Sequence, residues 1–292
     1  MSENILLAAA VFPVVVLCYF IYQKDVNKEP KNLLTKLFVL GFLITVPILP
    51  CELFLDSFFS TEKVTNFFMI FFNTFISIGL VEEGFKWIVT KKVGYDSNEF
   101  DEIYDIIVYS VFVSLGFACI ENILYVFTHG LGNAIMRALT SIPGHTCFAV
   151  IMGYFFSKAK INSINQNSGS VTKNLIFSIL APALVHTMYD AILIYMVNLD
   201  GSLFYFFVFI LFDVIMVITC FITVNKIAKI QVNLNTNINN GNITFNDGVI
   251  AMNTQKINQS VSGSPVQINF CPICGSSVQN MNFCPSCGYK LR

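Results

Sequence analysis

The sequence predicts an all-α polytopic membrane protein, a bundle of about seven transmembrane helices followed by a small C-terminal zinc ribbon. Three observations predict it. Hydrophobic residues make up 55% of the 292 and charged residues only 12%, against about 25% charged in an ordinary soluble domain. Apolar runs of about 18 residues or more recur along the chain, each long enough to cross a bilayer. Four of the nine cysteines fall in two tight pairs near the C-terminus. A net charge of −1 offers no basic surface, so nucleic acid is not expected as a partner.

The spans are drawn at about 4–23, 33–55, 64–90, 103–128, 134–158, 172–197 and 203–225. The first lacks a basic stretch before it and reads as a retained helix rather than a cleaved signal. Pro13, Pro47, Pro50, Pro143 and Pro182 fall inside spans, which membrane helices tolerate. Lysine sets the orientation. Lys24, Lys28, Lys31 and Lys36, then Lys91 and Lys92, then Lys158, Lys160 and Lys173, then Lys226 and Lys229 occupy alternate connections. The positive-inside rule then predicts a multi-pass protein of the cell membrane, N-terminus outside and C-terminus in the cytoplasm. Asp101, Glu102 and Asp105 fall in the first turn of the fourth span, where the helix dipole favours anions. Cys18, Cys51, Cys119, Cys147 and Cys220 are scattered through apolar runs and read as small buried hydrophobes.

Three regions follow: a helical bundle over 1–230, an Asn-rich flexible linker over 231–265 and a ribbon over 266–292. Within the linker, Val232, Leu234, Thr236 and Ile238 alternate with asparagine before Asn240-Gly241, a weak hairpin pattern. In the ribbon, Cys271-Pro-Ile-Cys274 and Cys284-Pro-Ser-Cys287 present four thiolates, a structural Zn²⁺ set with no open position. Such a unit suits docking of a cytoplasmic protein partner or regulation.

The chemistry sits in the spans. A charge near the middle of a membrane helix costs about 2.5–3.5 kcal/mol on insertion scales, so intramembrane ionisable groups mark a function. Glu82, Glu83 and Lys86 end the third span, Glu121 lies deep in the fourth with no basic residue near it in sequence, and His145 follows Pro143-Gly144 in the fifth. His186 and Asp190, four apart, share a face of the sixth. Glu82 and Lys86 have the spacing of an ordinary helical ion pair, which leaves Glu83 over. Asp213 in the seventh span fits no pattern; Arg137 or Lys86 could pair with it. Counted from the nearest lysines, His145 and His186 lie ~20 Å deep and Glu82 and Glu83 only ~12–15 Å. A tilted or broken third or fourth helix would close that gap. The set suits water activation, with a glutamate as base and histidines assisting, or a metal held by His145, His186 and a carboxylate.

These residues resemble the PrsW family of intramembrane proteases, related to the CAAX prenyl proteases. The family's EExxK motif matches Glu82-Glu83-Gly84-Phe85-Lys86, its FxxxE motif matches Phe117 to Glu121, its following histidine matches His145, and its HxxxD motif matches His186 to Asp190. The resemblance implies an endopeptidase that cuts membrane-protein substrates in the lipid bilayer, regulators of the anti-sigma-factor kind among them. Its expected catalytic residues are Glu82, Glu83, Glu121, His145, His186 and Asp190. A water activated by Glu82 or Glu83 directly is favoured slightly over a catalytic metal. A proton-linked transporter or sensor, and a scaffold recruiting partners through its zinc ribbon, are the alternatives.

Overall fold

A computed structural model describes residues 3–100, 102–164 and 167–239 of the chain. Helices account for the regular structure among these residues: α1 (Glu3–Lys24), α2 (Lys31–Leu43), α3 (Thr45–Phe59), α4 (Phe67–Thr74), α5 (Leu80–Val89), α6 (Asp105–His129), α7 (Leu131–Leu139), α8 (Ser141–Ile164), α9 (Ser168–Asn198) and α10 (Leu203–Asn239). Two π-helical segments, Phe75–Gly79 and Thr90–Tyr95, flank α5. By length and composition seven stretches can cross a membrane: α1, α2 with α3, Phe67–Tyr95, α6, α7 with most of α8, α9, and α10 as far as Val232. The expected count of seven is met.

Two expected spans are broken helices, and proline explains both. Pro47 and Pro143 each lack an N–H, and each ring crowds the carbonyl four residues back. Those positions are Leu43 and Leu139, where α2 and α7 end. Thr140 between α7 and α8 is non-helical (φ −123°, ψ −69°).

Helix α6 forms the axis of the bundle, packed on α1, α2 and α8. From Asp105 to Cys119 every residue but Phe112 is buried. Small residues set the spacing, as they do where helices pack in lipid. A Cβ on Gly41 would stand 2.0 Å from the Val113 carbonyl oxygen, and one on Gly116 only 2.1 Å from that of Phe38. The outer helices turn large apolar side chains outward, among them Phe12 and Tyr19 on α1 and Phe204, Phe207 and Leu211 on α10. Such a surface suits lipid rather than water.

Helix α10 continues to Asn239. The helix therefore takes in the start of the stretch expected as a linker from 231, including the alternating Val232–Ile238 run. An isolated hairpin could bury little there, whereas a helix simply prolongs the span. The rest of the linker and the ribbon with Cys271, Cys274, Cys284 and Cys287 lie outside the described residues.

Candidate active site

The third span carries its charges on α5, directly after the π-helical segment Phe75–Gly79. A π turn inserts an extra residue and so resets which face the following side chains occupy. Gly79 at its end lies against α9: an added Cβ would be 2.2 Å from Thr187 Oγ1 and 2.9 Å from the Ala183 carbonyl oxygen. This close approach delivers Glu82 and Glu83 to His186, which lies between Ala183 and Thr187 on α9. The third span, Phe67–Tyr95, is thus continuous but changes register at the π-helical segment rather than breaking.

Lys86 Nζ donates to Glu82 Oε2 at 2.9 Å and to Glu83 Oε1 at 2.8 Å. All three residues are buried. The expected Glu82–Lys86 pair exists, but Glu83 is not left over. The ammonium also lies 3.3 Å from His145 Nδ1 and 4.3 Å from the Phe117 ring centre.

Each imidazole is held by carboxylates. His186 Nδ1 is 3.1 Å from Glu83 Oε1, and its Nε2 is 3.2 Å from Asp190 Oδ2 and 3.9 Å from Glu82 Oε2. His145 Nε2 is 2.9 Å from Glu121 Oε2. Carboxylates placed this way fix the tautomer and ring orientation of a histidine. Phe148 stacks on His186 with ring centres 4.5 Å apart, and the two imidazole centres are 5.4 Å apart. Ser114 Oγ donates to the His145 carbonyl at 2.9 Å, which pins α8 to α6 at this level.

All six expected catalytic residues thus converge, from the third, fourth, fifth and sixth spans. Glu82, Glu121, His145, His186 and Asp190 line one cavity of about 730 Å³; Glu83 is fully buried behind them. Two residues that the motifs did not single out complete the site. Arg137 Nη2 lies 2.9 Å from Glu121 Oε2, so Glu121 has a basic partner in space. Arg137 Nε also donates to Asn122 Oδ1 at 2.9 Å, and Asn122 Nδ2 donates to the Ala10 carbonyl at 2.7 Å. Glu52 on α3 lines the cavity with a buried Oε1 that has no hydrogen-bond partner among the described residues. Opposite charges within two neighbouring spans were the available signal for Arg137, and a carboxylate inside an apolar run was the signal for Glu52.

Asp213 does not join. Arg137 goes to Glu121 and Lys86 to Glu82 and Glu83, while Asp213 is buried with Oδ1 unpartnered among the described residues. His129 bonds locally to the Tyr125 carbonyl.

Glu82, His145 and His186 each offer one ligand atom, and these atoms lie within 4.8 Å of one another in a buried setting. Two imidazoles and a carboxylate form a donor set used by catalytic zinc, and the carboxylates behind both rings supply the outer hydrogen bonds such ligands take. The residues present fit a divalent metal.

A family model described as PrsW family intramembrane metalloprotease matches residues 29–219. Among similar proteins, a Protease PrsW of Oceanobacillus iheyensis is 40% identical over 188 residues, 64% of this chain and 82% of the relative. Those of Bacillus subtilis and Clostridioides difficile are 36% and 35% identical, each over 189 residues, covering 64% and 63% of this chain and 82% and 77% of the relatives. No solved structure matches the chain.

Proposed function

Because the chain belongs to the PrsW family of intramembrane metalloproteases, and is a multi-pass membrane peptidase whose substrates are membrane proteins, we propose that it cleaves them at the Glu82–His145–His186 cluster. One observation carries this reading: three metal-ligating side chains from three separate spans meet in one cavity with further carboxylates beside them. Family membership also sets aside the transporter and scaffold alternatives.

In this reading Glu82, His145 and His186 hold a divalent metal. When bound, the ion supplies Lewis-acid polarisation of the scissile carbonyl and a lowered barrier to water deprotonation. The metalloprotease description of the family supports this over the glutamate-only route that the sequence slightly favoured. Glu121 and Asp190 line the same cavity and are the carboxylates available to take the proton of the attacking water and return it to the leaving amine. Glu83 and Lys86 act as positioning residues: Glu83 holds His186, and Lys86 ties Glu82 to Glu83. Arg137 positions Glu121, and through it His145.

The finer assignments belong to the same proposal. The four tail cysteines bind a structural Zn²⁺ and dock a cytoplasmic partner, the N-terminus lies outside the cell membrane, and the fold is kin to the prenyl proteases.

The test is cleavage of a tagged single-span membrane protein by purified enzyme in liposomes. Glu82→Gln, His145→Ala and His186→Ala should each abolish product while the protein still accumulates. Full activity in all three variants would overturn the assignment.

A further inference from the structure

A second cluster of acidic residues lies at the far end of α6 from the active site. Asp25 in the α1–α2 connection, Glu102 just before α6 and Asp105 in its first turn are 4%, 8% and 0% exposed. One carboxylate oxygen from each lies within 4.8 Å of the other two. Glu121 is sixteen positions along α6 from Asp105, ~24 Å at the helical rise, so this cluster is separate from the catalytic cavity.

Helix-dipole stabilisation, the expectation for acidic residues in this turn, covers only part of what is seen. Asp105 Oδ2 accepts from the Glu102 amide at 2.6 Å, an ordinary capping contact. Asp25 comes from a different element and gains nothing from that dipole. Its Oδ2 accepts from the Glu29 amide at 3.3 Å, and its Oδ1 is buried with no hydrogen-bond partner among the described residues. The neighbouring ammoniums are engaged elsewhere: Lys24 Nζ lies 5.5 Å from the Phe20 ring centre, and Lys28 Nζ donates to the carbonyls of Tyr22 at 2.6 Å and Asp25 at 2.8 Å. Burial, with Glu102 beside it, pushes the Asp25 carboxyl up to about 6. A buried carboxylate pressed against two others gains most from a cation shared among them.

We propose that Asp25, Glu102 and Asp105 bind a hard divalent cation of the Ca²⁺ or Mg²⁺ kind. The donors are carboxylate oxygens, with no imidazole or thiolate to favour Zn²⁺ or Cu²⁺. The cation clamps the α1–α2 connection onto the start of α6, the helix that carries Glu121 at its other end. Neighbouring contacts already gather elements here. Asn27 Nδ2 donates to Glu102, Ser157 Oγ of α8 donates to the Ile103 carbonyl at 2.8 Å, and the Ile103 amide donates to Gln231 of α10 at 3.0 Å. Three helices and the loop thus meet around the ion.

The test uses the full-length protein in detergent, stripped with EDTA and titrated with Tb³⁺, a luminescent probe of hard oxygen sites. Tyr104 and Tyr109, both buried beside Asp105 in the chain, are the sensitising rings. We expect a saturable signal on tyrosine excitation, displaced by Ca²⁺ or by Mg²⁺; whichever competes at lower concentration names the ion. Asp25→Asn and Glu102→Gln should each weaken Tb³⁺ binding by about tenfold or more, whereas Glu82→Gln should leave it intact. The thermal midpoint of the wild type should rise when millimolar Ca²⁺ or Mg²⁺ replaces EDTA, a readout that stands even if a variant fails to fold. A signal unchanged in Asp25→Asn, or a wild-type midpoint indifferent to both cations, would overturn the proposal.

Discussion

His186 and Glu83, 103 positions apart in the chain, are joined at 3.1 Å between Nδ1 and Oε1. Glu83 also accepts from Lys86, so one fully buried carboxylate organises both the imidazole and the ammonium of the site. Its neighbour Glu82 instead reaches the cavity.

The two glutamates should therefore fail differently. Glu82→Gln removes a group at the reacting centre and should abolish product formation, with some loss of stability because Lys86 also pairs with Glu82 at 2.9 Å. Glu83→Gln leaves Lys86 buried with half of its compensation and should destabilise the protein by about 3–5 kcal/mol. Thermal denaturation and single-turnover cleavage, measured on both variants, separate the roles. Residual turnover in Glu82→Gln with none in folded Glu83→Gln would contradict them.

Arg137 is predicted to act through Glu121. Arg137→Met keeps the packing against Tyr125, whose ring lies 4.3 Å from the guanidinium, but removes the charge from Glu121. Activity should fall about 10–100-fold, as for loss of an outer partner of a metal ligand, with a larger change in kcat than in KM. Arg137→Lys should restore part of it. An unchanged kcat in Arg137→Met would remove Arg137 from the site.

Gly79 is predicted to be intolerant of any side chain. Gly79→Ala places a methyl 2.2 Å from Thr187 Oγ1, so α5 and α9 must separate. A displacement of about 1 Å at the reacting groups costs about 10²-fold in rate. Thr187→Ala in the same chain removes the nearest obstacle but not the Ala183 carbonyl, so rescue should be partial. Cleavage assays on the single and double variants check this, and full activity in Gly79→Ala would refute it.

Transition-metal content distinguishes the catalytic centre from the ribbon. The chain cut after Asn239, where α10 ends, should retain one transition-metal ion per molecule, apart from any Ca²⁺ or Mg²⁺ at the Asp25 cluster, and lose activity on exhaustive chelation. The full-length protein should carry one further Zn²⁺, lost in Cys271→Ser/Cys274→Ser. An ion-free but active truncated chain would return the mechanism to a glutamate-activated water.

The sequence by itself determined the seven spans, the i,i+4 pairing of His186 with Asp190 and of Glu82 with Lys86, and the identity of the six candidate residues. Hydropathy and helical period are local properties, read without knowing what packs where. The tertiary structure alone decided which adjacent glutamate meets the cavity, because that depends on the phase shift of the π turn at Phe75–Gly79 and on the contact of Gly79 with Thr187. It likewise decided that Arg137 serves Glu121, and that Asp25 joins Glu102 and Asp105. A charge on one helix finds its partner on another only once the crossing of the two is set. Side-chain packing along α6 sets it, and no single segment of the chain encodes that packing.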